Sequence, residues 1–471
     1  VARAAEAPGG GVSIAHVVMI AAAAAMGGFL FGYDSAVING AVSAIEATFR
    51  VSPTVIGFTV AAALVGSAAG AAIAGGLADR IGRIRVMQLA AVLFAASAVG
   101  SAVPFTVWDL AWWRVVGGVA IGIASVIAPT YIAEVSPPAF RGRLSSLQQL
   151  AIVLGIAISQ LVNYGLAAAA GGSALDRFGP LQAWQWMLGI EVLPALLYFL
   201  LSLVIPESPR HLVRVGRDAQ ARRVLAEVEG GDVDGRIAEI RRALGTERRP
   251  HLRDLRGRYG LLGIVWTGMA LSAFQQLVGI NVIFYYSASL WQSVGVAETD
   301  SLLLSLFTSV VNIVGTFIAI ALVDRVGRRP LLLVGSVGMA VALAVTSFAF
   351  SHARGSGDSV VLPQEWGLAA LASASMFVLF FALSWGVVTW VLLGEMFPLP
   401  IRAAAMAVAT ATQWIANWLV TVTFPALSDW NLPFTYLVYT AFAVLSFAFV
   451  LRFVRETKGR TLESMAELAG R

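Results

Sequence analysis

Long apolar runs broken by short polar connections fill nearly the whole chain. A helix needs about 20 consecutive apolar residues to cross a bilayer. Twelve runs reach that length, at about 17–44, 54–77, 84–104, 108–134, 144–167, 184–205, 259–291, 301–323, 330–350, 366–394, 402–425 and 434–454. Several are longer than a crossing requires, which predicts tilt or a break within the helix. The pattern therefore predicts an all-α polytopic membrane protein with twelve transmembrane helices.

The connections alternate in character. One set holds Asp79-Arg80-Ile81-Gly82-Arg83, Arg141-Gly142-Arg143, the long polar segment 206–258, Asp324-Arg325-Val326-Gly327-Arg328-Arg329 and Arg402. The other holds Glu46, Asp109, Asp176, Glu298, Asp300, Asp358, Glu365 and Asp429, with few bases. Excess Arg marks the cytoplasmic side, so both termini are expected inside and the protein in the plasma (inner) membrane. The expected organisation is a tail (1–16), a first six-helix bundle (17–205), a helical linker (206–258), a second bundle (259–454) and a tail (455–471). The opening residues read as a cytoplasmic tail rather than a cleaved signal, since no convincing cleavage site precedes the first span. The linker reads either as a solvated amphipathic segment or as helices that latch the halves together.

The halves repeat each other. Asp79-Arg80-x-Gly82-Arg83 recurs as Asp324-Arg325-x-Gly327-Arg328, after the second span of each half. Glu134-x6-Arg141 recurs as Glu395-x6-Arg402, after the fourth. Two charged motifs at matching places indicate duplication, a common plan among membrane transporters, with the ligand at the interface of the repeats.

Composition agrees. The 471 residues are 58% hydrophobic and 13% charged, against about 25% charged in soluble domains. There is no cysteine, which excludes disulfides, thiolate metal sites and cysteine nucleophiles. The net charge of +5 comes from short loops and does not imply nucleic acid. No phosphate loop, metal-ligand cluster or nucleophile–base pair is visible, so no cofactor and no enzymatic role are expected. Gly66-x3-Gly70 and Gly118-x3-Gly122 suit close helix packing.

Asp34 is the lone charge in a run free of others from Val17 to Ala44. A carboxylate at membrane depth costs about 3 kcal/mol or more unless it pairs or takes a proton, and is functional by default. Arg114, about two turns into the fourth span, is expected at similar depth. Their pairing and separation would switch the acid between ionic and protonated forms; a permanent structural pair is the alternative. Glu191 is a second titratable group, either in the same network or bonded to neighbouring backbone. The histidines, His16, His211, His251 and His352, fall at span edges or in loops, so a histidine relay is not expected.

Amide side chains donate and accept without carrying charge, which suits a polyhydroxylated ligand, and aromatic faces cover its C–H surface. Gln275, Gln276, Asn281, Asn312, Gln413 and Asn417, with Trp390 and Trp414, form such a mid-span set in the second half; Gln160 is the candidate in the first. Any one of them could instead join helices together.

The ordered motifs identify a resemblance. The doubled loop motifs, Pro206-Glu207-Ser208-Pro209-Arg210, Gln275-Gln276-Leu277-Val278-Gly279-Ile280-Asn281 and Glu456-Thr457-Lys458-Gly459 resemble the sugar porters of the major facilitator superfamily, from about Gly27 to Glu463. The usual proline before Glu456 is Arg455 here. The resemblance implies two pseudo-symmetric six-helix bundles, alternating access, and a monosaccharide substrate bound by the amide set. Proton-linked members carry Asp at the Asp34 position, and facilitative ones tend to carry Asn. It also implies an inter-half network of Asp79, Arg83, Glu134, Arg141, Asp324, Arg328, Glu395 and Arg402 that holds the inner side closed and breaks on inward opening; the alternative is that these charges signal topology alone. The expected partners are a monosaccharide (most readily glucose), protons and the bilayer, with the protein monomeric. Rival readings are a facilitative uniporter of the same fold, a non-transporting sugar sensor, and a drug or ion antiporter.

Overall fold

The computed structural model describes residues 14–137, 141–246, 255–257, 260–354, 361–398 and 401–458. Eleven helices are long and apolar enough to cross a membrane, and the last runs 50 residues, Ala404–Phe453. At 1.5 Å per residue it would be more than twice the hydrocarbon thickness. It breaks at Asn431, whose backbone is extended (φ −162°, ψ 96°), two residues before Pro433. The Asn431 Oδ1 accepts from Phe434 N at 2.9 Å and caps the new helix. Two crossings result, which makes twelve.

The first half contains α1 (Ile14–Val37), α2 (Val42–Phe49), α3 (Pro53–Ile81), α4 (Arg83–Ala102), α5 (Val107–Val135), α6 (Arg141–Ala170), α7 (Ala183–Gly189) and α8 (Val192–Val204). A single 3₁₀ turn, Ile38–Gly40, ends α1. The linker holds α9 (Pro209–Arg214), α10 (Asp218–Val228) and α11 (Val233–Thr246). The second half contains α12 (Gly263–Leu277), α13 (Ile280–Ser293), α14 (Glu298–Val326), α15 (Arg328–Phe350), α16 (Gln364–Phe381), α17 (Val387–Met396) and α18 (Arg402–Phe453). Among the described residues the strands are two short antiparallel hairpins, Arg177–Phe178 with Leu181–Gln182 and Arg256–Gly257 with Gly260–Leu261.

Two of the long runs are broken helices. The seventh span stops at Leu277 and restarts at Ile280, because Gly279 adopts φ +84°. The Gly279 backbone also lies against the Tyr439 ring, where a Cβ would sit 2.8 Å from it. The tenth span passes through a five-residue π-helical turn, Ala382–Gly386, between α16 and α17. Such bulges loosen the ladder locally and re-aim side chains.

The glycine pairs act as close packing points. A Cβ on Gly66 would meet Val115 O at 2.1 Å, and one on Gly118 would meet Ala63 O at 2.0 Å. The α3 and α5 backbones are thus in direct contact.

The buried apolar side chains form two main clusters. One joins the Arg-rich end of the first half to the linker helices through Ile20, Phe94, Leu212, Val224, Leu225 and Ile237. The linker therefore docks on the first half. The amphipathic pattern explains why: Ala221, Val224, Leu225 and Val228 make one buried stripe on α10. The other cluster fills the second half and continues into Val37, Ile38, Ile45, Ile56 and Trp184 of the first. The two halves are thus sealed together at the acid-rich end.

Candidate functional site

Asp34 and Arg114 meet in the interior of the first half. The Arg114 Nη1 forms an ion pair with Asp34 Oδ1 and also donates to the Asp34 carbonyl at 3.2 Å. Asp34 is 1% exposed and Arg114 2%. Glu191, at the joint between α7 and α8, is equally buried, and its carboxyl interacts with both. Three atoms of this trio, Asp34 Oδ2, Glu191 Oε1 and Arg114 Nε, are buried without a hydrogen-bond partner. Gly117, one turn beyond Arg114, leaves room for the acid: a Cβ there would lie 2.9 Å from Asp34 Oδ2 and 2.5 Å from Ser97 Oγ. A trio with free polar atoms is suited to gaining and losing a proton.

The amides of the seventh span come together across its break. Asn281 Nδ2 donates to Gln276 Oε1 at 2.6 Å, Gln276 Nε2 donates to Gln275 Oε1 at 3.4 Å, and Gln275 Nε2 donates to the Trp385 carbonyl at 2.9 Å. That last carbonyl lies in the π-helical turn of the tenth span, so both irregular helices build one patch. Asn417 on α18 accepts from Thr421 Oγ1 at 3.1 Å. The buried Tyr285 hydroxyl lies near Asn417, near Ser35 of the first half and within the field of Asp34 and Arg114. The amide patch and the acid trio therefore adjoin through one tyrosine. Gln413 Oε1 is a buried acceptor without a partner. Asn312 is buried on α14. Trp414 faces Phe31 of the first half, with ring centroids 6.3 Å apart. Trp390 is 38% exposed on α17. Gln160 points elsewhere: its Nε2 donates to the Ala36 carbonyl at 3.2 Å and its Oε1 accepts from Asn39 at 3.1 Å, fully buried.

The charges at the Arg-rich end are arranged as two copies of one clamp. In the first half Arg83 Nε donates to Glu134 at 2.9 Å, and Arg83 Nη1 donates to the Ala78 carbonyl at 3.1 Å and to Asp79 at 3.3 Å. Glu207 accepts from the backbone N–H groups of Arg83 and Ile84 at 3.0 and 3.2 Å, and Ser208 Oγ donates to Glu134 at 2.5 Å. In the second half Arg328 Nε donates to Glu395 at 3.0 Å and Arg328 Nη1 to the Val323 carbonyl at 2.9 Å. Glu456 accepts from Arg328 N and Arg329 N at 3.0 and 2.9 Å, and Thr457 Oγ1 donates to Glu395 at 2.6 Å. Each glutamate thus fills the orphan N–H groups at the start of a helix. Gly82 (φ +97°) and Gly327 (φ +106°) turn the chain there, and a Cβ on either would strike that carboxylate.

Among the described residues these pairs form within each half: each Arg begins its helix straight after a left-handed glycine, and its side chain folds back over its own half. Asp79 also pairs with Arg214 of the linker. Arg402 donates to the Phe397 carbonyl at 3.1 Å. The side chains of Arg141 and Asp324, and all of His251, lie outside the described residues.

Burial of Glu456 favours its neutral form, but four backbone N–H bonds outweigh this and hold its carboxyl below the usual value. The roles of Glu207, Ser208, Glu456 and Thr457 were missed by sequence reasoning. The signal was present as Glu-Ser and Glu-Thr at equivalent places after the sixth and twelfth spans.

A family profile described as "Sugar (and other) transporter" matches residues 20–469. The chain belongs to the sugar porters. It is a multi-pass membrane transporter of the major facilitator superfamily and not an enzyme. It is 52% identical over 457 residues to a glucose transport protein of Synechocystis sp., covering 96% of this chain and 97% of that one. It is 37% identical to the D-xylose-proton symporter of Escherichia coli, with 96% of each chain covered. It is also 35% identical to the glucose facilitated diffusion protein of Zymomonas mobilis, over 96% of this chain and 97% of that one. The inward-open structure of the E. coli xylose transporter superposes with a TM-score of 0.82 at 36% identity, covering 96% of this transporter and 99% of that chain.

Proposed function

We propose that the protein imports a monosaccharide, glucose or a similar hexose, together with a proton, by alternating access. The Arg-rich end faces the cytoplasm of the cell whose plasma membrane holds the protein, which works as a monomer. The carrying observation is the buried trio of Asp34, Arg114 and Glu191. One fixed positive charge faces two carboxyls, so a single proton on either leaves the group neutral. A second charge without a partner there would be costly.

The cycle follows from this charge count. Facing out, the trio takes up a proton, and the amides of Gln275, Gln276, Asn281, Asn312, Gln413 and Asn417 hold the sugar hydroxyls. Trp390 and Trp414 cover its apolar faces. Facing in, the sugar leaves, the proton follows, and Asp34 pairs with Arg114 as in the arrangement described above. Tyr285 adjoins both sites and ties their occupancy together. The duplicated clamps brace each half as it rocks. Gln160 contributes indirectly, through Asn39.

A 100 mV potential and one pH unit together supply about 3.7 kcal/mol per proton, which supports roughly 500-fold accumulation. Asp34→Asn is expected to keep sugar exchange and lose accumulation, and sugar addition to wild-type cells is expected to make the medium alkaline. Wild-type uptake without alkalinisation, or an Asp34→Asn protein that still concentrates sugar, overturns the proton coupling. A uniporter remains the second reading, because one relative is named for facilitated diffusion; there Asp34 and Arg114 would be a fixed structural pair.

A further inference from the structure

Asn39 occupies the 3₁₀ turn that ends α1 and is 1% exposed. Its side-chain donors and its carbonyl oxygen are all engaged in one place. Its Nδ2 donates to Gln160 Oε1 and to Ser287 Oγ, both at 3.1 Å. Its Oδ1 accepts from the backbone N–H of Ala288 at 3.0 Å. Gln160 belongs to the first half, and Ser287 and Ala288 belong to α13 of the second. Ser287 Oγ continues to Ser305 Oγ on α14 at 2.6 Å, and Gln160 Nε2 ties back to the Ala36 carbonyl. Ser287 and Ser305 are buried as well. A continuous buried polar strip thus crosses between the halves, beside the further links of Ser43 to Ser289 and of Ser173 and Ala174 to Glu298 at the same end.

Such a strip is worth most when every member is satisfied, and it is costly when pulled apart without water or ligand to replace it. The turn conformation is what allows it: leaving the α-helix at Ile38 moves Asn39 off the helical path and toward α13. Gly40 clears the space behind, where a Cβ would lie 2.6 Å from the Asn163 side chain. The same α13 carries Asn281 in its first turn, so the clasp fixes the half-helix that presents a sugar amide.

We infer that Asn39 is a positioning residue: it docks α13 against the first half when the acid-rich end closes over the sugar, and its release from Ser287 and Ala288 opens that end. Gln160 serves as its holder rather than as a sugar ligand. Opening frees two amides at the outer mouth, and closing consumes them. The inference rests on the transport reading only for which end faces outward.

The chain has no native cysteine, so one thiol reports accessibility cleanly. Ala167 is fully buried near the acid-rich end of α6, in the cluster that spans the halves. In an Ala167→Cys background, an impermeant maleimide applied outside is expected to react slowly. Adding Asn39→Ala is expected to raise that rate about tenfold, since more than one hydrogen bond is lost from the closed state. Ser287→Ala, a milder change, is expected to raise it by a smaller factor, and the double variant to match Asn39→Ala alone because the two share a bond. The KM for external sugar and kcat are both expected to fall, because the outward-open state gains population; a damaged binding site raises KM instead. Unchanged labelling in both single variants, fully independent effects in the double, or a raised KM with unchanged labelling overturns the clasp. A rise found only in inverted vesicles supports the clasp and overturns the proposed sidedness. Loss of alkalinisation in the wild type overturns proton coupling without touching the labelling result.

Discussion

Gly117→Ala places one methyl group against the proton-binding trio. The new Cβ would sit 2.5 Å from Ser97 Oγ and 2.9 Å from Asp34 Oδ2. An unstrained carbon contact is about 3.5 Å or more, so something must move by roughly 0.6–1 Å. Ser97 resists, because its hydroxyl donates to the Trp113 carbonyl at 2.8 Å. The displacement therefore falls on the Asp34 carboxylate and loosens its pairing with Arg114. Overpacking of this size costs about 1–3 kcal/mol. If about 1.4 kcal/mol of it bears on the Asp34–Arg114 geometry, gradient-driven accumulation slows about tenfold. Sugar exchange without a proton gradient is expected to fall less than about threefold, and Ser97→Ala in the same chain to restore part of the loss by making room. The neighbouring Gly118→Ala provides the contrast. Its Cβ would be 2.0 Å from the Ala63 carbonyl oxygen, so it pushes apart two backbones rather than one side chain. It is expected to lower the Tm in detergent and to depress exchange and accumulation together. The assay is sugar uptake and counterflow in proteoliposomes with an imposed pH step, beside thermal unfolding. If Gly117→Ala accumulates sugar at the wild-type rate, or loses exchange and accumulation equally with the same fall in Tm as Gly118→Ala, the cradle argument fails.

Three further outcomes follow from named contacts. Glu456→Ala removes the cap of α15 and is expected to cost about 1–2 kcal/mol, read as a lower Tm. Because the folded state holds the Glu456 carboxyl below the usual glutamate value, its contribution is complete above that ordinary value and is lost as pH falls through the lower folded one; Glu456→Gln is expected to flatten that acid limb of a Tm-against-pH curve. Gly279→Ala forces a left-handed alanine (about 1–2 kcal/mol) and a clash with Tyr439, so sugar uptake is expected to fall at least tenfold, and normal uptake would show that the break in the seventh span is dispensable. Asn281→Ala removes one end of the amide chain and is expected to raise the sugar KM about tenfold while sugar-linked proton movement persists at saturating sugar; an unchanged KM would exclude it from the binding patch.

Fold class was legible because its signal is redundant. Twelve apolar runs, alternating loop charge and doubled motifs each point to the same architecture, and the bilayer permits few alternatives. Asp34 was legible for the opposite reason: a single charge in an apolar helix must pair or take a proton, and Arg114 is its partner. The Gln275, Gln276 and Asn281 spacing anticipated a shared patch, and the left-handed Gly279 supplies the geometry. Gln160 is harder. A buried glutamine reads the same whether its partner is a ligand or another side chain, and only the 3₁₀ turn, which apolar periodicity does not encode, brings Asn39 to it. The charged motifs were visible but their pairing was not, because direction depends on the left-handed glycine before each Arg. Glu207 and Glu456 escaped notice since a helix cap supplied from more than a hundred residues away leaves no local pattern.

The twin clamps also set an order of assembly. The first half receives its bracing glutamate and serine, Glu207 and Ser208, as soon as its sixth span is complete, so it can consolidate while the rest of the polypeptide is still emerging from the ribosome. The second half waits for Glu456 and Thr457, which follow its final span. Deleting just that pair would leave the first bundle intact and the second one slack, a lopsided lesion from a small change.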